Sequence, residues 1–103
     1  MASSLESMNS WEQLGPIAHW SSAKLARHCG VSIRQLQRFF SARMGTSPQA
    51  YLNSLRLGAA MNLLDRQKTV KEVAAMLDFK QPSHFSRQFK EFYGINPSKL
   101  TRG

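Results

Sequence analysis

The sequence is poor in cysteine, acid and β-branched side chains, and each shortage excludes something. Cys29 is the single cysteine, so there is no internal disulfide framework and too few thiolates for most structural zinc sites. Three Val, three Ile and three Thr in 103 residues, never in an alternating run, leave little from which to build a sheet. No apolar run approaches the ~18 residues that a membrane-spanning helix needs. No Lys or Arg precedes Lys24, so the basic start of a secretory signal is missing. No glycine-rich phosphate loop is present. The expectation is a soluble, cytoplasmic, all-α chain forming one ordinary domain or two very small ones sharing a core.

What the chain does have is positive charge. Fourteen Lys and Arg stand against six Asp and Glu, a net of +8, with a pI near 10.4. Residues 1–20 hold Glu6 and Glu12 and no base, whereas 21–103 hold every Lys and Arg against Asp65, Glu72, Asp78 and Glu91. A folded body this basic repels itself until a polyanion neutralises it, which points to nucleic acid or an acidic membrane surface.

Helical periodicity and capping residues divide the chain into seven predicted helices. Ser3 with Glu6 forms a capping box for the first, with Leu5, Met8, Trp11 and Leu14 on one side and Gly15-Pro16 as its stop. Ser21 caps a short helix with Leu25, Ala26 and Cys29 inward, and Gly30-Val31-Ser32 is a tight turn. Ser32 with Gln35 opens the next helix, which runs through Met44 to Gly45. Ser47-Pro48 starts a long helix to about Asp65 whose apolar stripe is Tyr51, Leu52, Leu55, Ala59 and Leu63. Thr69 with Glu72 caps a helix with Val70, Val73, Ala74 and Leu77 inward. Pro82 begins one carrying Phe85, Phe89 and Phe92, closed by Gly94, and Pro97 starts a last short turn.

An internal repeat runs through this pattern. Leu25-Ala26 matches Val73-Ala74 at an offset of 48 and Cys29 matches Leu77; beyond the turn the offset is 49, pairing Leu36 with Phe85, Arg38 with Arg87, Phe40 with Phe89, Gly45 with Gly94 and Pro48 with Pro97. One residue has been added to the second turn. Each unit is a short helix, a tight turn and a longer helix, the outline of a helix-turn-helix. The chain is accordingly predicted to form a first helix-turn-helix subdomain over 1–46, a connecting helix over 47–66 and a second subdomain over 67–103.

The longer helix of each unit carries a polar, base-rich stripe opposite its apolar face. In the first, Leu36, Phe40 and Met44 point inward and leave Arg34, Gln37, Arg38 and Ser41 outward at i, i+3, i+4 and i+7. In the second, Phe85, Phe89 and Phe92 leave Ser83, Ser86, Arg87 and Lys90. The major groove of a duplex admits one helix, Arg reads guanine bidentately, Gln reads adenine, and hydroxyls suit phosphate oxygens. A solvated surface accounts for any single arginine on a helix; it does not account for two matching stripes on the second helices of two matching units.

These residues resemble a known family. Leu36-Gln37-Arg38-Phe39-Phe40, Gly45-Thr46-Ser47-Pro48-Gln49-Ala50-Tyr51, Leu55-Arg56-Leu57 and Ala60 through Leu63-Leu64 look like the AraC/XylS family of bacterial transcription regulators. Val73-Ala74, Phe79, Ser83-His84-Phe85-Ser86-Arg87-Gln88-Phe89-Lys90, Gly94 and Pro97 resemble the family's signature segment. The resemblance implies two helix-turn-helix subdomains on a long central helix, each placing its second helix in the major groove. Base-edge contact is then implied for Arg34, Gln37 and Arg38 in the first unit and for Ser83, His84, Ser86 and Arg87 in the second. Two positions depart from the pattern: Pro82 replaces a common polar residue, and Asp78 replaces the usual glycine before Phe79. The separate effector or dimerisation domain of most members is absent from this chain, so no small-molecule effector is expected in this segment. The implied partners are double-stranded DNA and, beside it, RNA polymerase.

Geometry supports the same mechanism without the name. A helix over 48–65 is about 27 Å long at ~1.5 Å per residue, and successive major-groove faces lie ~34 Å apart. Two reading helices of one chain thus suit adjacent grooves, with DNA bending to cover the difference, and because the stripes differ the site is expected to be asymmetric. Lys24, Arg27, Ser41, Lys80, Lys90, Lys99 and Arg102 are the candidates for phosphate contact. Arg43, Arg56 and Arg66 are left between phosphate contact and a solubilising role.

Other residues invite chemistry and lack its geometry. His28 and Cys29 are helix neighbours ~100° apart, and Cys29 occupies the core position of Leu77. His19, His28 and His84 have no metal-ligand spacing, so neither a metal, a cofactor nor an enzyme activity is expected. Trp11 and Trp20 are read as core anchors, and Phe39 as packing against the central helix, with stacking on a base as its alternative. The rival functions are a basic helical module for a protein or membrane surface, which needs an exposed apolar stripe beside its charge, and a structured-RNA binder, which prefers A-form RNA to duplex DNA.

Overall fold

Short polar side chains set most of the helix starts. In the computed structural model, which describes residues 11–100, the order is α1 (Trp11–Ile17), α2 (Ser22–Cys29), α3 (Ile33–Met44), α4 (Pro48–Asp65), α5 (Val70–Met76), α6 (Pro82–Tyr93) and a 3-10 turn (Pro97–Lys99). Among the described residues there are six α-helices and no strand, so the all-α class holds, with the predicted seventh element a single 3-10 turn. The Ser3–Glu6 box, Leu5 and Met8 lie outside the described residues, as does Arg102.

Two helices open with reciprocal capping boxes. Ser32 Oγ accepts the Gln35 N–H at 3.1 Å while Gln35 Oε1 accepts the Ser32 N–H at 2.9 Å. Thr69 and Glu72 repeat these bonds at 3.1 and 2.9 Å, and they hold the Glu72 carboxyl below its ordinary pKa. Each box satisfies two amides that a helix start leaves without partners. Ser21 and Ser47 accept from the Lys24 and Ala50 amides, while α6 begins with Pro82 and no side-chain cap on Gln81.

The chain divides into two compact units, Met1–Leu55 and Arg56–Gly103, and the division falls inside α4. The connecting helix thus contributes Pro48–Leu55 to the first unit and Arg56–Asp65 to the second. In the first unit α2 packs on α1 and on α3. Its core holds Trp11, Ala18, Leu25, Ala26, Cys29, Leu36, Phe40 and Leu52, with Leu14, Val31, Phe39, Met44, Tyr51 and Leu55 half-buried around it. Phe40 sits between Trp11 and Tyr51, at centroid distances of 4.9 and 5.4 Å. Burial also pushes the Cys29 thiol pKa up, which suits a core residue rather than a nucleophile.

In the second unit α6 packs on α5 and on the 3-10 turn. Leu57, Ala60, Leu64, Val73, Ala74, Leu77, Phe79, Phe85, Phe89 and Pro97 are buried. The expected inward set of α6 needs one correction: Phe92 is 52% exposed. Tyr93 takes the place instead, four residues after Phe89, with ring centroids 4.6 Å apart and its hydroxyl donating to the Leu57 carbonyl at 3.1 Å. The stripe of α4 is corrected too. Its buried positions are Pro48 and Leu52 in the first unit and Leu57, Ala60 and Leu64 in the second, while Tyr51, Leu55, Ala59 and Leu63 are half-buried.

Gly15-Pro16 does not stop the first helix. Both lie within α1, and the chain turns after Ile17 through His19 and Trp20, at φ 53 and 58. Trp20 N–H bonds back to the Gly15 carbonyl at 2.8 Å, folding the indole onto the glycine. A Cβ on Gly15 would lie 2.5 and 2.8 Å from two carbons of the buried Trp20 ring, so glycine is required here for close approach. Gly15→Ala is expected to cost about 1–3 kcal/mol, the usual range for overpacking a core, read as a lower urea midpoint with unchanged slope; a midpoint equal to the parent's would contradict this contact.

Candidate nucleic-acid interface

Each unit orients its longer helix through one left-handed turn. At the end of α2, Gly30 lies at φ 71, its N–H bonds to the Arg27 carbonyl at 3.1 Å, and the Val31 N–H reaches the Ala26 carbonyl at 3.0 Å. At the corresponding place, Asp78 lies at φ 64, its N–H faces the Ala75 carbonyl at 3.3 Å, and the Phe79 N–H reaches the Ala74 carbonyl at 2.9 Å. Both are Schellman closures, offset by 48 residues. Aspartate is among the side chains that tolerate the left-handed region, which is how the second unit does without glycine. Lys80 is the added residue of the second turn, after which Gln81 aligns with Ser32.

The second turn has a strut that periodicity did not reveal. Arg56 Nε donates to the Leu77 carbonyl at 2.8 Å, and its guanidinium lies 3.6 Å from the Phe79 ring centroid. The group is half-buried, which lowers its pKa, and the Asp78 carboxylate opposes that shift. Arg56 therefore braces the turn from inside its unit, a role separate from the two left open for it. Arg43 instead lies over the Phe39 ring at 5.5 Å. In the first unit Gln49 braces the start of α2 rather than the Gly30 turn: its Oε1 accepts the Ser22 N–H at 2.9 Å, and its Nε2 donates to the Trp20 carbonyl at 2.8 Å.

With the turns set, the stripes face outward. Arg34, Gln37, Arg38 and Ser41 are all exposed on α3, and α3 contains no acid. Gln35 is engaged by its capping box, so Gln37 is the amide left to the stripe. On α6, Ser83, His84, Arg87 and Lys90 are exposed and Ser86 is half-buried, with exposed Glu91 beside Lys90. Lys24, Arg27, Lys80 and Lys99 are exposed as well. No charged or polar side chain is buried among the described residues.

On the second unit, Lys80, Gln81, Ser83, His84 and Arg87 line one open concavity. It gathers four of the expected contacts and adds Gln81, an exposed amide whose Oε1 lies 3.5 Å from Ser83 Oγ. Gln81 is a residue the sequence reading missed; its alignment with the cap position of Ser32 hid it. His84 stands edge-on to Phe79 at 6.2 Å, and its Nε2 is 3.3 Å from Gln88 Nε2, so packing fixes the ring at the rim of the concavity. Lys90 and Lys99 are outside this group.

No group of three or more His, Cys, Asp or Glu able to hold a metal ion occurs among the described residues. No helix among them is long and apolar enough to cross a membrane.

Comparison with known proteins agrees with this geometry. Residues 25–103 match the family model of a helix-turn-helix domain. The HTH-type transcriptional regulator MtrA of Neisseria gonorrhoeae is 33% identical over 88 residues, covering 84% of this chain and 29% of that protein. The HTH-type transcriptional activator RhaS of Escherichia coli O139:H28 is 30% identical over 105 residues, covering 99% of this chain and 37% of that protein. The chain therefore spans well under half the length of these relatives. A solved transcriptional regulator of Chromobacterium violaceum, described as having an AraC-type DNA-binding domain, superposes with a TM-score of 0.70 at 28% identity, covering 89% of this chain and 93% of that one.

Arg56→Met keeps an unbranched chain as far as the position of Nε but leaves the Leu77 carbonyl without its donor. It is expected to cost about 1–3 kcal/mol of stability, measured by urea unfolding, and to restore little when replaced by Lys, which lacks the Nε–H fork. Stability unchanged in Arg56→Met would mean that the turn holds without its strut.

Proposed function

From the premise that the chain belongs to the AraC/XylS family of helix-turn-helix transcription regulators, we propose that it binds double-stranded DNA in a sequence-specific way, with α3 and α6 as its reading helices. The observation that carries this reading is the pair of exposed stripes, each set by the same left-handed closure onto the preceding helix. Arg34, Gln37 and Arg38 contact base edges in one half-site; Ser83, His84, Ser86 and Arg87 contact them in the other. Lys24, Arg27, Lys80, Lys90, Lys99 and Arg102 neutralise phosphates, and the Ser41 hydroxyl donates a hydrogen bond to a phosphate oxygen. The half-buried Ser86 has only a short hydroxyl to offer, so Arg87 dominates the second half-site.

One chain occupies two successive major grooves of an asymmetric site. Bending a duplex of this size costs on the order of 1–6 kcal/mol, which additional phosphate contacts offset. Regulation of bacterial transcription in the cytoplasm follows as the role, with RNA polymerase the second partner at the promoter. No effector is assigned to this segment.

Selection from a random duplex pool tests the reading. The expected product is a non-palindromic site whose two halves are centred about 10 base pairs apart. Arg38→Ala and Arg87→Ala are each expected to lose roughly 1–3 kcal/mol and to relax preference at one base position. Equal weakening on selected and random DNA would reassign these arginines to phosphates. Affinity is also expected to fall steeply with salt, six neutralised phosphates giving a log–log slope near −5, about 0.9 per phosphate; a flat response would remove the duplex reading. Because Phe92, Ile95 and Leu100 are exposed on the second unit, binding to anionic vesicles is the control that separates a membrane-surface module.

A further inference from the structure

The reading stripe of the first unit has an apolar neighbour that none of the assigned contacts uses. Ile33 is the first residue of α3, directly after the Ser32 cap, and is 45% exposed. It stands one turn before Gln37 and next to Arg34. Ile33 is β-branched, so its methyl groups are held by a stiff χ1 and lose little freedom on contact. The aligned residue of the second unit, Pro82, is the first residue of α6 and is exposed as well. Both reading helices therefore begin with an exposed apolar side chain.

Among the four bases only thymine presents a methyl group in the major groove, and an apolar side chain long enough to touch it recognises it by contact. The N-terminal residues of a reading helix are the ones that approach base edges. Resting on the duplex reading above, we infer that Ile33 is a specificity-determining residue that packs on the 5-methyl group of a thymine in the half-site of the first unit. Four residues of helix span about 6 Å and successive base pairs are ~3.4 Å apart. The thymine accordingly lies within two base pairs of the base contacted by Gln37. Ile33 adds preference without adding charge, so its contribution is independent of salt.

The test uses the chain with the site returned by duplex selection, the first unit's half being located with Arg38→Ala. Each thymine in that half is replaced in turn by deoxyuridine, which removes the methyl group and keeps the base pair. One replacement is expected to weaken binding of the parent chain about four-fold, the worth of one buried methyl. Ile33→Ala is expected to bind the thymine site more weakly than the parent and to be indifferent to that same replacement, while Ile33→Val retains the parent's response. The salt slope of Ile33→Ala is expected to equal the parent's. The proposal is overturned if no deoxyuridine in the half-site matters, if Ile33→Ala responds to it as the parent does, or if the selected half contains no thymine. Failure of the duplex reading is a distinct result, in which selection enriches no site at all.

Discussion

The longer helix of each unit owes its orientation to one backbone hydrogen bond closed across a left-handed residue: Val31 N–H to the Ala26 carbonyl in the first unit, Phe79 N–H to the Ala74 carbonyl in the second. The placement of both polar stripes follows from these bonds. They end the shorter helix, reverse the chain within a few residues and present Leu36 and Phe40, or Phe85 and Phe89, to the core. Once those apolar residues are committed inward, Arg34, Gln37, Arg38 and Ser41 on α3 and Ser83, Arg87 and Lys90 on α6 are left exposed. The cationic stripes are the other side of the core.

The two units reach the same closure with different materials. Gly30 takes the left-handed position in the first, and nothing lies within 4 Å of where its Cβ would be. The second unit places Asp78 there and adds Arg56, whose guanidinium covers Phe79 and caps the Leu77 carbonyl. A conformation that costs an L-residue more than glycine is thus supported by a tertiary contact. Gln49 does comparable work at the start of α2, bridging Trp20 and Ser22. Both struts project from α4, which makes that helix a brace for each unit as well as the link between them in the chain.

The duplication was readable from the chain because it repeats whole motifs in register, and the capping boxes and the proline at the start of α4 because they depend on residues within one helical turn. The stripes were readable for the same reason. Gly15 was misread as a stop because its role, making room for the Trp20 ring, is a packing relation. Phe92 and Tyr93 differ by one helical position, and the bond to the Leu57 carbonyl, 36 residues away, goes with Tyr93 being the half-buried one of the two. Arg56 and its acceptor are 21 residues apart, so no local pattern marks it as a strut rather than a surface base. Local chemistry was legible; the contacts that choose between two neighbouring side chains were not.

The central claim is that two stripes read two grooves from one chain, each through its own arginine. Guanine N7 methylation protection on the selected duplex tests it most directly, since N7 is an atom that arginine engages. Two protected clusters about one helical turn apart are expected, with Arg38→Ala uncovering one cluster and Arg87→Ala the other. A single protected cluster, or both substitutions uncovering the same guanines, would contradict the account.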